Sequence, residues 1–400
     1  MATKNKKNTG KRGLAALSSG SKGCRKINDL CPICCVLPPH ILREITQRGN
    51  ERQRDWAFDT LRISEQFRGR REAVGRFSAL LMTPAGEKRR TVYDAKTRTR
   101  LPGTLVRGES APPSKDVAVN EAYDGSGATY DLYFDVFKRN SIDDEGMRLD
   151  STVHYSKKYN NAFWNGTQMV YGDGDGDLFD RFTKSIDVIG HELTHGVTEF
   201  SANLEYKNQP GALNESMSDV FGSLVKQRSL KQTADKADWL IGQGLFTAKV
   251  KGVALRSMKA PGTAYDDPVL GKDPQPAHMD DLYTGTRDNG GVHINSGIPN
   301  HAFYLAATKI GGFAWEKAGL IWYTALTTRL KAKSTFKDAA TITIAVAGEL
   351  YGEDSEEQIA VRTGWEQVGV IEPPALPEPP APPEPPAPPE PPAPPAPSNP

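Results

Sequence analysis

Two hydrophobic periods divide the chain. From about Leu80 to Gly176, short stretches of alternating apolar and polar residues, such as Arg90–Asp94, predict β-strands. After His195 the apolar residues recur at helical spacing, which predicts helices over 212–227, 296–310, 312–330 and 336–351. The pattern therefore predicts an α+β protein in which a β-rich half precedes a helical half.

The β-rich half contains one helix candidate and one hairpin. Apolar residues at helical spacing predict the helix over 128–140. Residues 160–164 and 167–171 then predict paired strands with a turn at Asn165-Gly166. The glycine-rich segment 172–177 resembles a calcium loop, but it lacks the closing glutamate, so a tight turn is favoured.

A leader and a small helical hairpin are predicted before the β-rich half. Residues 1–23 are rich in Lys, Gly and Ser, which is typical of disorder. Helix candidates begin at Leu42 and at Glu51, and the second ends near Gln66. Residues 67–76 carry four arginines and predict an exposed segment that proteases cut.

Two further segments lack a regular hydrophobic period. Residues 237–290 are a long polar connection, and such a connection in a compact domain is usually functional. Residues 373–400 are nearly all Pro, Ala and Glu, which predicts a polyproline II helix. At about 3.1 Å per residue this tail would reach roughly 85 Å, and we favour a spacer over an adaptor-binding tail.

Composition narrows the classes of function. The net charge of +1, with 25% charged residues, gives no indication of nucleic-acid binding. The chain has no run of 18 apolar residues, so no membrane span is predicted. The basic N-terminus lacks the apolar stretch of a secretory signal, which leaves a cytoplasmic location as an alternative to export.

All four cysteines precede residue 36, as Cys24, Cys31, Cys34 and Cys35. No disulfide is therefore expected in the remainder of the chain. Cys31 and Cys34 have the spacing of half a zinc ribbon or of a redox pair, but neither pattern is completed elsewhere. Reduced thiols in a leader segment are the favoured interpretation.

The strongest chemical signal is the sequence His191-Glu192-Leu-Thr-His195. The two histidines are four residues apart, so on a helix both imidazoles can reach one metal ion. Glu192 is placed to deprotonate a water molecule, and Glu215 in the next helix candidate offers a third ligand. Two His and one Glu leave one coordination position open, as in catalytic zinc sites.

Neighbouring polar residues distinguish this pattern from a chance match. A lone His-Glu-x-x-His also occurs on ordinary amphipathic helices. Asn214 and Asp219 lie beside Glu215 in an otherwise apolar stripe, where they suit groups that orient the imidazoles. The combination favours zinc over a solvated helix with ordinary histidines.

Six ordered motifs between Val153 and Gly369 resemble the thermolysin-like neutral metallopeptidases. A shorter match at Pro38-Pro39-His40-Ile41-Leu42 resembles the propeptide of the protealysin-like branch. The resemblance implies a two-lobed fold with the zinc helix on the floor of the cleft between the lobes. The six motifs begin at Asn160, Tyr171, His191, Gly211, Leu255 and Asp288.

The resemblance also implies a domain organisation. A short inhibitory propeptide would occupy 24–76, and the β-rich catalytic lobe, with the zinc helix, 77–200. The helical catalytic lobe would occupy 201–372, before the polyproline tail.

The same resemblance implies a role for each site residue. His191, His195 and Glu215 would bind one zinc ion, and Asn214 and Asp219 would orient the ligands. In catalysis, Glu192 would activate water, while His293, steadied by Asp288, and Tyr206 would donate hydrogen bonds to the oxyanion.

Substrate binding is implied in the same way. Asn161 and Ala162 would bind the peptide as an added strand, and Arg256 would bind the carbonyl after the scissile bond. An apolar pocket beside the zinc predicts a preference for bulky hydrophobic residues after that bond. Its lining would be Phe179, Phe182, Val188 and Leu255.

One departure from the family concerns calcium. Of the clustered carboxylates that bind paired calcium ions, only Asp187 and Asp238 remain, and Lys226, Leu240 and Gln243 fill the other positions. An ammonium can replace the charge of a cation, so the paired calcium site is expected to be absent. A single calcium ion held by other oxygens remains an alternative.

The main functional hypothesis is a zinc endopeptidase made as a zymogen, acting on peptides or proteins as a monomer. Family resemblance favours an extracellular protease. The rivals are a catalytically dead binding module and a structural zinc protein built on the cysteines. Inhibition would come from docking of Pro38, Pro39 and Ile41 in the cleft, or from a cysteine thiolate on the zinc.

Overall fold

The computed structural model describes residues 35–74 and 86–373. For residues 65–74 it describes the backbone alone. The predictions for the leader, for Cys24, Cys31 and Cys34, and for the tail from residue 374 lie outside the described residues. The N-terminal hairpin is confirmed as helices α1 (Pro39–Arg48) and α2 (Glu51–Val74). Helix α2 continues into the arginine-rich segment, so residues 67–74 are helical, while the exposure of 67–76 and their cleavage by proteases stay predictions.

A five-stranded mixed sheet forms the β-rich half, with strand order β2-β1-β3-β5-β4. Strand β4 antiparallel to β5 pairs Phe163 with Val170, which confirms the predicted hairpin. Because β4 is an edge strand, one side of its backbone is open to a further strand. The strands are β1 (Arg90–Asp94), β2 (Thr104–Arg107), β3 (Leu149–Val153), β4 (Ala162–Trp164) and β5 (Met169–Tyr171).

Helix α3 (Val117–Asp131) begins eleven residues before the predicted helix over 128–140. Gly125 and Gly127 conceal it, because glycine usually weakens a helix interior. Here close packing favours Gly125, because a Cβ there would lie 2.4 Å from the buried Ile189 side chain; a Cβ on Gly127 would meet only the end of the Arg90 side chain, at 2.2 Å. A π-helical turn at Leu132–Val136 follows α3, where a regular helix was predicted to continue.

Helices α4 (Ile186–Glu199) and α5 (Asn208–Leu230) form the centre of the molecule. They meet through two glycines: a Cβ on Gly190 would lie 3.0 Å from the Cα of Gly222, and one on Gly222 would lie 2.4 Å from the Asp187 carbonyl oxygen. The two backbones are therefore in direct contact at the crossing.

The helical half follows the predicted pattern closely. Helix α9 (Phe336–Tyr351) has the predicted bounds, and Thr335 with Asp338 forms a capping box at its start. In place of the predicted helix over 312–330, the structure has the shorter helix α8 (Ala318–Thr324), which a π-helical turn at Ala325–Arg329 follows. Helix α10 (Glu356–Gln367) was missed because it is largely polar, although Trp365 is fully buried. The other helices are α6 (Arg287–Asn295) and α7 (Gly297–Ile310).

The connection over 237–290 is ordered by short strand pairs and buried side chains. Strands β6 (Leu240–Ile241) and β7 (Arg256–Ser257) pair, as do β8 (Asp266–Asp267) and β9 (Gly271–Lys272).

The five-stranded sheet followed by the helical half confirms the predicted α+β fold. Among residues 35–74 and 86–373, no helix is both long and apolar enough to cross a membrane.

Candidate active site and metal centre

Three potential metal ligands converge where α4 and α5 cross. The Nε2 atoms of His191 and His195 are 3.0 Å apart, and each lies 3.5 Å from a carboxylate oxygen of Glu215. All three side chains are buried, and Glu215 Oε2 has no hydrogen-bond partner in the described structure. Two imidazoles and an orphaned carboxylate oxygen are the donor set that zinc prefers, so these residues fit a zinc ion.

The second nitrogen of each imidazole is held by a neighbour on α5. His191 Nδ1 donates to Asp219 Oδ1 at 2.8 Å, and His195 Nδ1 donates to Asn214 Oδ1 at 2.8 Å. Ser218 Oγ also lies 3.0 Å from His195 Nδ1. With protons on Nδ1, both Nε2 lone pairs point to the common centre.

Asp219 connects the metal ligands to the opposite wall of the cleft. Its carboxylate accepts two hydrogen bonds from Arg256, at 2.8 Å each, and one from Asn300 at 2.8 Å. Burial alone would raise the pKa of Asp219, but the Arg256 guanidinium and the His191 hydrogen bond hold that pKa well below its usual range. The carboxylate is therefore ionised and fully paired.

Glu192 follows His191 on α4 and is fully buried. Its Oε2 accepts from the backbone N–H of Trp164 on β4 at 2.9 Å, and its Oε1 has no partner among the described residues. Burial, and then the negative charge of Glu215, raise the pKa of Glu192 above its ordinary value. The free oxygen gives this carboxylate room to accept a proton.

His293 and Tyr206 lie beside the carboxylate of Glu215. His293 Nδ1 donates to Asp288 Oδ1 at 2.7 Å, and its Nε2 lies 3.1 Å from the Tyr206 hydroxyl, which donates to Glu215. Burial lowers the pKa of His293, but the nearby carboxylates of Asp288 and Glu215 reverse this, and the net pKa is raised. The ring is held with Nε2 facing the cleft.

The position of Asp288 depends on unusual backbone geometry. Residues Asp288–Gly291 have positive φ angles of 56°, 52°, 83° and 82° inside α6. Asp, Asn and Gly tolerate this left-handed conformation best, which explains the sequence Asp-Asn-Gly-Gly. The turn brings Asp288 back to accept from the His293 backbone N–H at 2.8 Å.

Asn161, Ala162 and Arg256 come together on the predicted substrate path, and they hold the chain's own residues 35–37. Asn161 pairs with both backbone groups of Leu37, at 2.9 and 3.3 Å. Val36 N–H donates to the Ala162 carbonyl at 3.3 Å, and Arg256 Nη1 donates to the Val36 carbonyl at 3.0 Å. The segment extends the open edge of β4 as an antiparallel addition.

The remainder of the N-terminal hairpin packs over the same cleft. Ile41, Leu42 and Ile45 of α1 are at most 1% exposed. On α2, Gln53 donates to Asp177 at 2.7 Å, and Ser64 lies 3.0 Å from the Tyr159 hydroxyl. The hairpin is thus attached to the body by apolar burial and by specific hydrogen bonds.

The predicted pocket residues are all buried in one apolar cluster, to which Val36 also belongs. Phe179 and Phe182 lie with ring centroids 6.1 Å apart. Val188 is on α4, three residues before His191, so the cluster adjoins the metal ligands. Leu255 belongs to the same core, and the lining of a substrate pocket by these four residues stays a prediction.

The predicted ammonium cluster is present. Lys226 Nζ lies 2.9 Å from Asp238, 3.3 Å from Asp187 and 3.1 Å from the Leu240 carbonyl. Burial lowers the pKa of Lys226, but the two carboxylates outweigh burial and raise it. Gln243 contributes only its backbone carbonyl, which accepts from Ser185 at 3.3 Å.

Some functional contacts were missed from the sequence. The Trp164 N–H that binds Glu192 is a backbone group, so no residue pattern marks it. Asn300 was also missed, although a buried amide in the otherwise apolar helix α7 was a usable signal. In segment 172–177 the predicted turn forms, with Asp175 Oδ1 accepting three backbone N–H groups at 2.7 to 3.1 Å.

Comparisons with known proteins agree with this geometry. The thermolysin metallopeptidase catalytic domain matches residues 81–199, and the thermolysin metallopeptidase alpha-helical domain matches residues 202–370. Protease PrtS of Photorhabdus sp. (strain Az29) is 51% identical over 343 residues, which cover 84% of this chain and 91% of that protein. The extracellular metalloprotease of Pectobacterium carotovorum subsp. carotovorum is 50% identical, covering 85% and 97% respectively.

A solved structure gives the same result. The precursor of protealysin, a metalloproteinase from Serratia proteamaculans, matches with a TM-score of 0.78 and 54% identity. The match covers 84% of this chain and 100% of that one. The chain therefore belongs to the thermolysin family of zinc metalloendopeptidases, in its protealysin-like branch.

Proposed function

We propose that this protein is a zymogen whose mature form hydrolyses internal peptide bonds with water activated by Glu192. The observation that carries the proposal is the convergence of Glu192, the three potential zinc ligands and His293 on one bound backbone segment. Bound zinc would supply a Lewis acid at His191, His195 and Glu215, which polarises the scissile carbonyl and acidifies water.

Glu192 is the general base in this proposal. Its free Oε1 is available to take a proton from water, and in the zymogen burial and the charge of Glu215 raise the pKa of this carboxyl. The bound Val36 N–H is close enough to the carboxyl to oppose that rise in pKa, so Glu192 is placed to pass the proton to a leaving amine. One residue therefore serves both proton transfers.

His293 and Tyr206 stabilise the developing negative charge. His293 presents Nε2 to the cleft, and Asp288 keeps its imidazole protonated and oriented. The Tyr206 hydroxyl donates to Glu215 in this structure, and its proton would be free for the oxyanion once Glu215 binds zinc. Donors fixed before the reaction stabilise an oxyanion at little reorganisation cost. Tyr206 and His293 are thus assigned to the oxyanion rather than to the metal.

Asn161, Ala162 and Arg256 hold only the backbone atoms of the substrate. These contacts therefore position the peptide without a preference for its sequence. Preference comes from the apolar pocket. Its large buried side chains favour a bulky hydrophobic residue after the scissile bond.

Residues 24–76 act as the inhibitory propeptide, ahead of catalytic lobes over 77–200 and 201–372. The described part of the propeptide occupies the backbone-binding groups that a substrate needs. The sulfur of Cys35 is not part of the His191, His195 and Glu215 group, which favours docking of the proline motif over a thiolate block. The other three cysteines lie outside the described residues.

We also propose that the protein is exported, since a relative of 50% identity is named an extracellular metalloprotease. Fractionation of the producing cells is expected to place caseinolytic activity in the medium. Activity that stays with intact cells would contradict export.

Glu192→Ala is expected to retain its zinc and to lose peptidase activity by about 100-fold or more, because the ligands remain while the base is removed. His293→Ala is expected to lower kcat by about 100-fold and to leave KM nearly unchanged, as for a donor used in the transition state. Casein hydrolysis, peptide kinetics and zinc content by atomic emission measure these effects.

The proposed preference for a bulky hydrophobic residue after the scissile bond predicts the amino termini of the casein products. These termini are expected to be mainly Leu, Phe, Ile and Val.

Three results would contradict these assignments. Zinc content that falls together with activity in Glu192→Ala would make Glu192 a ligand. A pure rise in KM for His293→Ala would make His293 a substrate-binding group. A processed, zinc-saturated chain that cleaves nothing would favour the binding module.

Lys226→Met is expected to lower the stability of the protein by about 3 kcal/mol, because Asp187 and Asp238 lose their shared ammonium. Millimolar calcium is expected to restore part of the melting temperature in this variant and to have little effect on the unchanged protein. Thermal unfolding with and without calcium measures the difference. An equal rise in the melting temperature of both proteins would contradict this prediction. It would show that calcium binds beside Lys226 or elsewhere without needing the place of the ammonium group.

Replacing Pro38, Pro39 and Ile41 by Ala is expected to hasten self-processing at the junction near residue 76, because the fully buried Ile41 loses about 2 to 5 kcal/mol of packing and the propeptide leaves the cleft more readily. Changing all four cysteines to Ser is expected to leave the rate of processing unchanged. Gel electrophoresis of the precursor over time measures both. An uncleaved, cysteine-free precursor with full activity would instead establish the thiolate block.

A further inference from the structure

We propose that the Cys35–Val36 peptide bond is a self-processing site, which the zymogen hydrolyses within its own chain. This inference rests on the proposed peptidase function. It adds that the propeptide is bound as a substrate, in the productive direction and register, and not merely as a plug of the cleft.

The carbonyl side of this bond faces the proposed oxyanion donors. The Cys35 carbonyl oxygen accepts from His293 Nε2 at 3.2 Å, and that nitrogen is 3.1 Å from the Tyr206 hydroxyl. Cys35 is also paired with Phe163 next to the edge strand, so its backbone is fixed. The carbonyl is therefore oriented by the groups that would stabilise its negative charge.

The amide side of the same bond faces the proposed base. Val36 N–H donates to the Ala162 carbonyl at 3.3 Å and is close enough to the Glu192 carboxyl to offset part of the rise that burial causes in its pKa. A leaving nitrogen needs a proton donor at this place. Both ends of the Cys35–Val36 bond thus meet the group that its hydrolysis requires.

The next two bonds toward the C-terminus do not meet these groups. The carbonyl of Val36 is bound by Arg256, and both backbone groups of Leu37 are bound by Asn161. The bond from Leu37 to Pro38 has no N–H at all. In a reversed strand, or one shifted by a residue, the carbonyl facing His293 and the N–H facing Glu192 would not belong to one peptide bond.

The step is ordinary hydrolysis and needs only water. The water oxygen bonds to the Cys35 carbonyl carbon, Glu192 takes a proton from the water, and the C–N bond breaks. Glu192 then delivers the proton to the Val36 nitrogen, which leaves a carboxylic acid on Cys35 and an amine on Val36. The proton of the acid passes to the amine, so the products are a carboxylate and an ammonium group. The contacts of Val36 and Leu37 with Arg256 and Asn161 are unchanged, so the cut alone leaves the cleft occupied.

The experiment follows the full-length zymogen by intact mass spectrometry. The protein is purified in chelator, zinc is added, and samples are quenched in acid over time. The expected products are residues 1–35 and a chain that begins at Val36, formed with a rate constant that does not change over about 100-fold dilution, since the bound reactants form one molecule.

Three variants test the register. Val36→Gly is expected to slow the cut at this bond about tenfold or more, because the buried isopropyl group is lost from the apolar cluster. Val36→Leu keeps an apolar side chain and is expected to restore the cut. Gln47→Ala, an exposed change on α1, is the matched control and is expected to leave the rate unchanged.

The outcomes separate this inference from the proposed function. If casein hydrolysis appears while the Cys35–Val36 bond stays intact, the inference is wrong and the peptidase function stands. A rate proportional to protein concentration would overturn processing within one chain. Equal rates for Val36→Gly and the unchanged protein would overturn the register. Failure of the mature chain to hydrolyse casein would overturn the proposed function itself.

Discussion

The site depends on one buried carboxylate. Asp219 accepts hydrogen bonds from His191, Arg256 and Asn300, and so joins a potential metal ligand to a group that binds peptide backbone. The ion pair offsets the cost of burying both charges only because the remaining lone pairs of Asp219 are also bound. A displacement of Asp219 would move the imidazole and the guanidinium together, and the two functions are therefore mechanically coupled.

The N-terminal segment uses this coupled site without adding recognition groups of its own. The hydrogen bonds of residues 35–37 are made by their backbone atoms, to the groups proposed to bind a substrate. Affinity then comes from the apolar face of α1 and from the hydrogen bonds of α2. In the proposed zymogen, inhibition would then depend on tethering, because attachment to the body raises the local concentration of the bound strand.

Local patterns predicted much of the molecule. The spacing of His191 and His195, the turn at Asn165-Gly166 and the bounds of α9 all follow from short-range rules. What sequence alone missed depends on contacts between distant segments. Gly125 weakens the helix pattern of α3, yet its small size is required by Ile189, and polar α10 is helical because Trp365 is buried against the core. The seating of Val36 on Arg256 joins residues 220 apart in the chain, so no local pattern encodes it.

The contact between Gly190 and Gly222 has an evolutionary consequence. Because the backbones of α4 and α5 touch there, main-chain atoms set how closely the two ligand-bearing helices approach, while Asn214 and Asp219 orient the imidazoles. Pocket residues can therefore change in size without altering the metal geometry. A lineage with this crossing can acquire new substrate preferences by single substitutions, while any side chain at either glycine would be selected against.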